Sequence, residues 1–561
     1  MNIRIIGKYL FSIVKKSCGN KAVIVFVCTC IVGGFPALKT LVNAELVQLI
    51  SNGINMENKN WIWYEVCKLL LYGAIIQYLI YLATRVKETE TVLMSSLLTD
   101  QIRNDMYQKA RNVEYVNYDD TTFIGKVDNA KRELGFRPVS IISSLMDLLS
   151  SIVNILTYFF ILIHFSLWII LPILICNIIR FYISKKEKKI NYEFNAQTTT
   201  LRRKINYFSS FPLDRNIVRE MKVYKMFDNI WKKCKKAFSG YYNGLKKVAH
   251  IELKYELGMD GLSLLLEMGI LGWSVYSVLN GTIEFGQYIL LSGSLIGISD
   301  SIKRFMDNIS TTFGDCLYFT NLIDYLQWRE NEAPILAQQD LKDNSLQTKI
   351  EFKDVSFSYL GSEQLVLDKV NFELCDGDNA VIIGENGTGK STVVKLLSRL
   401  YIPLEGQILV NGIDIQNYSE DDYYDLVGVV FQDYSKYAMN VEENIVCCAT
   451  TIDETKVDEV MQKVRVDQQV KNLPNGLKTE LTKTFSKQGV DFSGGTWQKI
   501  AISRIFYAQK KIRIYDEPTA SLDEESAKAV IHSIINNRKG INIVITHDMR
   551  FAKLFNRVIE L

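Results

Sequence analysis

The sequence predicts an α-helical membrane domain of six spans followed by an α/β P-loop domain with a helical subdomain. Two observations predict it. Long apolar runs crowd the first 310 or so residues and then cease. Beyond them, Gly384-Glu385-Asn386-Gly387-Thr388-Gly389-Lys390-Ser391 fits the pattern G-x-x-x-x-G-K-[ST]. A chain of 561 residues suits two or three domains. Its mean hydropathy of +0.04 averages two unlike parts. A net charge of +3 is too small to argue for a nucleic-acid partner.

A spanning helix needs about 20 mostly apolar residues. Six stretches qualify: 22–50, 61–84, 139–163, 165–184, 256–279 and 284–302. The first and third exceed the need, so parts of them should project beyond the lipid. A tight turn near His164-Phe165 separates the third from the fourth, and Asn280-Gly281-Thr282 separates the last two. Before the first span, Arg4, Lys8, Lys15, Lys16 and Lys21 accompany Ile5, Leu10, Ile13 and Val14 at helical spacing. That pattern predicts a helix lying on the membrane surface. The apolar run then continues to full spanning length, which argues for an uncleaved membrane protein rather than a signal peptide.

Charge sets the orientation. The connection between the fourth and fifth spans is rich in Lys and Arg (Lys185, Lys186, Lys188, Lys189, Arg202, Arg203, Lys204), and the one between the second and third is long and mixed. The three short connections hold one Lys, Lys59, and no Arg. Both termini and both long loops are therefore expected in the cytoplasm. The long loops carry helical patterns, as in 220–227, and should extend the spans as helices. Within the spans, Glu267 lies about twelve residues from the outer end of its helix, roughly mid-bilayer, and is a candidate for a substrate path. Asp147 and Glu45 fall nearer the surfaces.

Ten cysteines and four histidines are present. Several of the cysteines sit in apolar runs, where Cys packs as a small hydrophobe. Cys28 and Cys30 are too close, and too short of His partners, for a zinc finger. Neither a structural disulfide nor a metal cluster is expected.

The Gly-rich stretch follows an apolar run, 380–383, and precedes Thr392-Val393-Val394-Lys395-Leu396-Leu397, which reads as a helix. In that context glycines let successive N–H groups turn toward phosphates, and the helix start adds partial positive charge. Lys390 would reach the β- and γ-phosphates, and the Ser391 hydroxyl could ligate Mg²⁺.

Further motifs follow in order. They are Phe357-Ser358-Tyr359, Val430-Phe431-Gln432-Asp433, Phe492-Ser493-Gly494-Gly495-Thr496-Trp497-Gln498-Lys499, Ile514-Tyr515-Asp516-Glu517-Pro518, Ala520-Ser521-Leu522-Asp523 and Ile545-Thr546-His547. This order resembles the nucleotide-binding domain of an ABC transporter, and the six spans resemble the exporter type. The motifs look like the adenine-stacking aromatic, Q-loop, signature, Walker B with its following glutamate, D-loop and H-loop.

The resemblance implies a domain plan: a transmembrane domain over 1–324, a linker over 325–350 and the nucleotide-binding domain over 351–561. It also implies roles. Glu517, His547 and Gln432 would be catalytic. Ser391, Gln432 and Asp516 would hold Mg²⁺. ATP would be bound by Tyr359, Gly384, Asn386, Gly387, Thr388, Gly389, Lys390, Ser391 and Thr392. Ser493, Gly494, Gly495 and Asp523 would complete the site, the signature residues serving the opposing subunit. One set of spans with one nucleotide domain implies a half-transporter acting as a dimer, a homodimer rather than a heterodimer, in a bacterial inner membrane.

Three departures from the family pattern stand out. Thr496 replaces a usual Gln and should lose reach. Arg513 interrupts an apolar strand, so it must be paired, snorkelling or near a strand end. The sequence ends at Leu561, soon after His547. Gly494–Ala501 also resembles the SGG-x-WQKIA form of lantibiotic and related peptide exporters, which implies a modified peptide as cargo. Lipid or multidrug export, or a weakly hydrolysing half of a heterodimer, are the alternatives.

Overall fold

The computed structural model describes residues 3–53, 59–135, 137–163, 167–328, 347–362, 364–385, 387–447, 451–537 and 539–561. Internal contacts divide the chain into two units. One comprises Met1–Arg111 and Gly125–Trp328; the other comprises Asn112–Ile124 and Arg329–Leu561. The expected linker over 325–350 falls largely on residues 329–346, outside the described residues. So do the expected turn at His164-Phe165 and Cys448.

The first unit is helical. A short amphipathic helix, Ile3–Ser17, buries Ile6, Leu10 and Ile13, at helical spacing. Among the described residues six long helices follow: Gly19–Gly53, Lys59–Asn112, Arg137–Leu162, Leu167–Gln197, Phe227–Leu279 and Phe285–Leu326. Each overlaps one of the expected apolar stretches. Among the described residues, four helices are long and apolar enough to cross a bilayer: Gly19–Gly53, Asn60–Asn112, Arg137–Leu162 and Phe227–Leu279.

Phe227–Leu279 has 53 residues. At 1.5 Å per residue it is about 80 Å long, well over twice the hydrocarbon thickness. This length is what a span continued by its loop requires. The helical pattern at 220–227 is interrupted, however. The helix Arg215–Val223 stops, Lys225 adopts a left-handed φ of 52°, and a new helix starts at Phe227. Trp61, Trp63 and Tyr64 stand exposed at the start of the second long helix, where amphipathic rings suit a membrane–water boundary.

Close packing joins the first, third and sixth long helices around Ala37, Tyr158, Leu162, Leu291, Leu295 and Ile298. Small residues make it possible. A Cβ on Gly297 would sit 2.3 Å from the Tyr158 ring, and one on Gly293 would sit 2.7 Å from Thr40. Gly293 and Gly297, four residues apart, let the backbones approach as lipid-embedded helices need.

Among its described residues the second unit has nine strands: β1 (Lys349–Phe357), β2 (Leu367–Cys375), β3 (Asn379–Ile383), β4 (Glu405–Val410), β5 (Ile413–Asp414), β6 (Val427–Val430), β7 (Ile512–Asp516), β8 (Ile541–Ile545) and β9 (Arg557–Glu560). An antiparallel sheet has the order β2-β1-β4-β5, and a parallel sheet has the order β6-β7-β8-β3-β9. β3, β7 and β8 are buried along their whole length, as a parallel sheet covered on both faces demands.

One core lies between the two sheets, around Phe352, Ile382, Leu396 and Ile543. The other joins the helices Val441–Val446, Glu454–Lys463 and Gly494–Ala508 to the far face, around Trp497, Val457 and Ile531. These helices form the expected helical subdomain.

Candidate nucleotide site

The phosphate loop connects β3 to the helix Lys390–Leu397. Gly387 and Gly389 have φ of 92° and 94°, the left-handed region that favours glycine. A Cβ on Gly389 would also lie 2.6 Å from Leu367 and 3.0 Å from the Val366 carbonyl. Lys390 Nζ donates to the carbonyls of Gly384 at 2.8 Å and Glu385 at 2.6 Å, folding its charge into the loop. Thr388 Oγ1 donates to Glu385 O at 3.1 Å. Asn386 lies outside the described residues.

Beside the loop, the hydroxyls of Tyr359 and Thr392 are 3.0 Å apart. The Tyr359 ring meets Phe357 and Tyr401 edge-on, with Lys395 over its face at 5.0 Å from the centroid. Tyr401 in turn donates to Asp119 and packs on Tyr115 at 5.9 Å. The segment 112–124, from the connection between the second and third long helices, thus belongs to the nucleotide unit. It contains the 3₁₀ turn Tyr115–Asp119.

At the end of β7, Asp516 is buried, and among the described residues its Oδ1 has no hydrogen-bond partner. Burial and the neighbouring Glu517 charge push its carboxyl up to about 6, against the opposing hydrogen bond from Ser391. A buried, orphaned carboxylate oxygen beside a serine hydroxyl fits one or two protein ligands to Mg²⁺, which takes its remaining ligands from phosphate and water.

Glu517 comes next, with a left-handed φ of 48°. Non-glycine residues seldom adopt it, and such strain gathers at functional positions. Its N–H donates to Ile545 O at 3.0 Å, tying it to β8. Its carboxylate accepts from Gln432 Nε2 at 3.0 Å and lies 3.4 Å from His547 Nδ1. Gln432, Glu517 and His547 are therefore brought together from three separate segments.

The signature segment caps the helix Gly494–Ala508. Ser493 Oγ accepts from Thr496 N at 3.2 Å. Thr496 is not merely a shortened Gln. It is buried, and its hydroxyl donates to Gln469 at 3.1 Å and lies 2.9 Å from Ser493 Oγ. A Cβ on Gly495 would lie 2.8 Å from Ser521 O, so this glycine permits close contact with the loop that leads to Asp523. Asp523 caps the next helix. The Ser526 hydroxyl and amide hold its carboxyl below the usual range.

Two residues with structural work in the site were not singled out from the sequence. Gln498 donates to Glu517 O at 2.8 Å and accepts from Ser521 N at 2.9 Å, so one buried amide pins both loops. Tyr434 donates to Gly494 O at 2.9 Å, joining the Gln432 loop to the signature helix. The first stood in the sequence only as one residue of the signature stretch and of the QKIA run. Trp497 is a core residue, fully buried, with its indole N–H on Asp491 at 3.2 Å.

Arg513 is paired. It is buried in β7, and its guanidinium donates to Asn542 Oδ1 at 2.8 Å, Asn537 O at 2.9 Å and Lys539 O at 2.5 Å.

With that geometry in view, residues 367–520 match the family described as ABC transporter. The fold matches a bacterial Atm1-family ABC exporter solved with ATP bound, at a TM-score of 0.80 and 17 % identity, over 97 % of this chain and 94 % of that one. The chain is an ABC transporter half-exporter. It is a multi-pass membrane protein with an ATPase coupled to transport. Among relatives of this half-exporter, the subtilin transport ATP-binding protein SpaT of Bacillus subtilis is 27 % identical over 463 residues, covering 81 % of this chain and 74 % of SpaT. A multidrug resistance ABC transporter ATP-binding and permease protein of Lactococcus lactis is 30 % identical over 329 residues, covering 57 % of this chain and 54 % of its own.

Proposed function

We propose that this half-exporter pairs with a second copy of itself in a bacterial inner membrane and uses ATP hydrolysis to export a modified peptide. The observation that carries the hydrolytic part is the convergence of Gln432 and His547 on Glu517. A carboxylate so held can orient the attacking water and take its proton. Gln432 and His547 fix its direction, and Lys390 is placed to meet the phosphates. Ser391, Asp516 and Gln432 would hold Mg²⁺, which supplies neutralisation of phosphate charge when bound. Tyr359 would stack on adenine, with Thr392 steadying its hydroxyl. Residues 384–389, Asn386 included, would wrap the phosphates. Ser493, Gly494 and Gly495, at a helix start, would close the partner's site, with Asp523 alongside; two-fold pairing satisfies both sites at once.

Two things support a peptide cargo: the SGG-T-WQKIA resemblance and the likeness to the relative named for subtilin transport. The Lys- and Arg-rich connection supports placing the nucleotide domain in the cytoplasm. The multidrug relative keeps a second cargo class in view.

Steady-state Mg-ATPase activity of the chain in lipid nanodiscs tests the motor. Glu517→Gln should lower it by about 10² or more while ATP still binds. Absent wild-type hydrolysis would instead favour a heterodimer in which this half hydrolyses weakly. Uptake into inverted vesicles tests the cargo. Failure of every modified peptide beside transport of drugs or lipids would overturn the peptide reading.

A further inference from the structure

The start of the signature helix, Gly494–Ala508, is short of side-chain donors. Thr496 stands where the family pattern has Gln. It is buried, and its hydroxyl carries a single proton. That proton goes to Gln469 Oε1 at 3.1 Å. In the 2.9 Å contact between the two hydroxyls, Ser493 is therefore the donor and Thr496 the acceptor. Ser493 Oγ in turn accepts from Thr496 N at 3.2 Å. Both hydroxyl protons are thus used inside the cap. The backbone N–H groups of Gly494 and Gly495 are what the signature itself can offer an anion.

The chain of bonds ends on Gln469. This residue lies in the helix Asp467–Lys471. Val470 of that helix, and Val466 just before it, are buried in the same core as Trp497. Lys499 Nζ donates to Arg465 O at 3.4 Å, a second tie between this segment and the signature helix. Gln469 itself is exposed. Thr496 takes its oxygen, which leaves its NH₂ group with two donors. Among the described residues that nitrogen makes no hydrogen bond. An amide already fixed through its oxygen loses little freedom when its nitrogen binds, so its donors are preorganised. They stand beside a helix start, where negative charge is favoured.

We propose that Gln469 contacts the nucleotide. Its NH₂ group donates to a phosphate oxygen of the ATP held by the partner subunit, in place of the Gln that the family pattern puts at position 496. Thr496 is the positioning residue that fixes the amide. The contact presupposes that the signature segment closes the partner's site, as proposed above.

The test uses the full chain in lipid nanodiscs, with Glu517→Gln in every copy so that ATP persists. Mixed dimers pair a tagged chain with an untagged one. Photolabelling with 8-azido-ATP marks the chain whose own phosphate loop holds the nucleotide. Gln469→Glu on the tagged chain keeps an oxygen for Thr496 but replaces the donors by a negative charge. It should raise the half-maximal labelling concentration of the untagged chain about tenfold or more and leave that of the tagged chain unchanged. Gln469→Met should raise it less. Gln469→Met combined with Thr496→Gln restores the family arrangement and should regain most of the affinity. A merely structural role for Gln469 predicts wild-type labelling by Gln469→Glu, because the bond to Thr496 survives, and that result overturns the proposal. Gly494→Asp is the control. A Cβ there meets only Ser521 at 3.7 Å, so the fold has room for a carboxylate at the helix start. If Gly494→Asp weakens labelling of the untagged chain while Gln469→Glu does not, the partner reading stands and the role of Gln469 falls. If each variant weakens labelling of its own chain, or neither alters either chain, both fall.

Discussion

Arg513→Met separates support of the fold from support of the chemistry. The guanidinium serves three acceptors, which lose unequally. Asn537 O keeps a second donor, Asn542 Nδ2 at 3.0 Å. Lys539 is exposed, so water can replace the arginine at its carbonyl. Asn542 Oδ1 belongs to a side chain with no exposed surface and is left stranded. A stranded buried acceptor costs about 1–3 kcal/mol. Methionine offsets part of this by removing a desolvated charge, since burial already pulls the Arg513 pKa down. The balance is a loss of about 2 kcal/mol. A unit of this size loses about 2–4 °C per kcal/mol, so its melting transition should fall about 4–8 °C. Differential scanning calorimetry of the chain in nanodiscs reads this. Arg513 precedes Asp516 by three residues, about 10 Å along a strand. ATPase activity per folded molecule should therefore change by less than about twofold. An unchanged transition with a tenfold fall in kcat would refute the assignment and place Arg513 in the catalytic machinery.

Two further outcomes are expected. Asp516 has a carboxyl raised to about 6 in the folded chain, above the ordinary value of 3.8. The folded state then holds its proton more tightly than the unfolded state, so ionisation of Asp516 opposes folding above pH 6. Without nucleotide or Mg²⁺, Asp516→Asn should melt higher than wild type at pH 7.5, and the gap should close as pH falls through 6 toward 4. A gap that widens on acidification would refute it. Tyr401→Phe keeps the ring contacts but removes the hydrogen bond to the Asp119 carboxylate. A bond to a charged group contributes about 1.5–3 kcal/mol. Amide exchange in residues 112–124 should accelerate about tenfold or more, with little change in β3 and β8. Equal rates would show that packing alone holds the segment.

The parts of the site that were legible in the sequence are those whose chemistry fixes both residue type and neighbours. A phosphate loop needs glycines at left-handed positions beside a strand and a helix, and Gly387 and Gly389 supply them within eight residues. Glu517 and His547 lie thirty residues apart, yet each follows a buried strand, β7 or β8, and those strands are adjacent. Adjacency of strands brings their C-terminal residues together, so short motifs at two strand ends imply one site. The helices were legible for a related reason: apolar length is a local property.

What escaped depends on contacts between segments with no shared pattern. Thr496 looked like a truncated Gln because nothing in the sequence points to Gln469, twenty-seven residues earlier. Gln498 stood only as one residue of the signature stretch, although its amide bridges Glu517 and Ser521. Arg513 broke the apolar rule for a central strand, and the rule alone could not say which carbonyls would receive it. The break at Lys225 was hidden because the apolar spacing on either side stays helical. Each case replaces a local rule by a buried polar partner, and a polar residue in a buried context can be satisfied from any direction the fold provides.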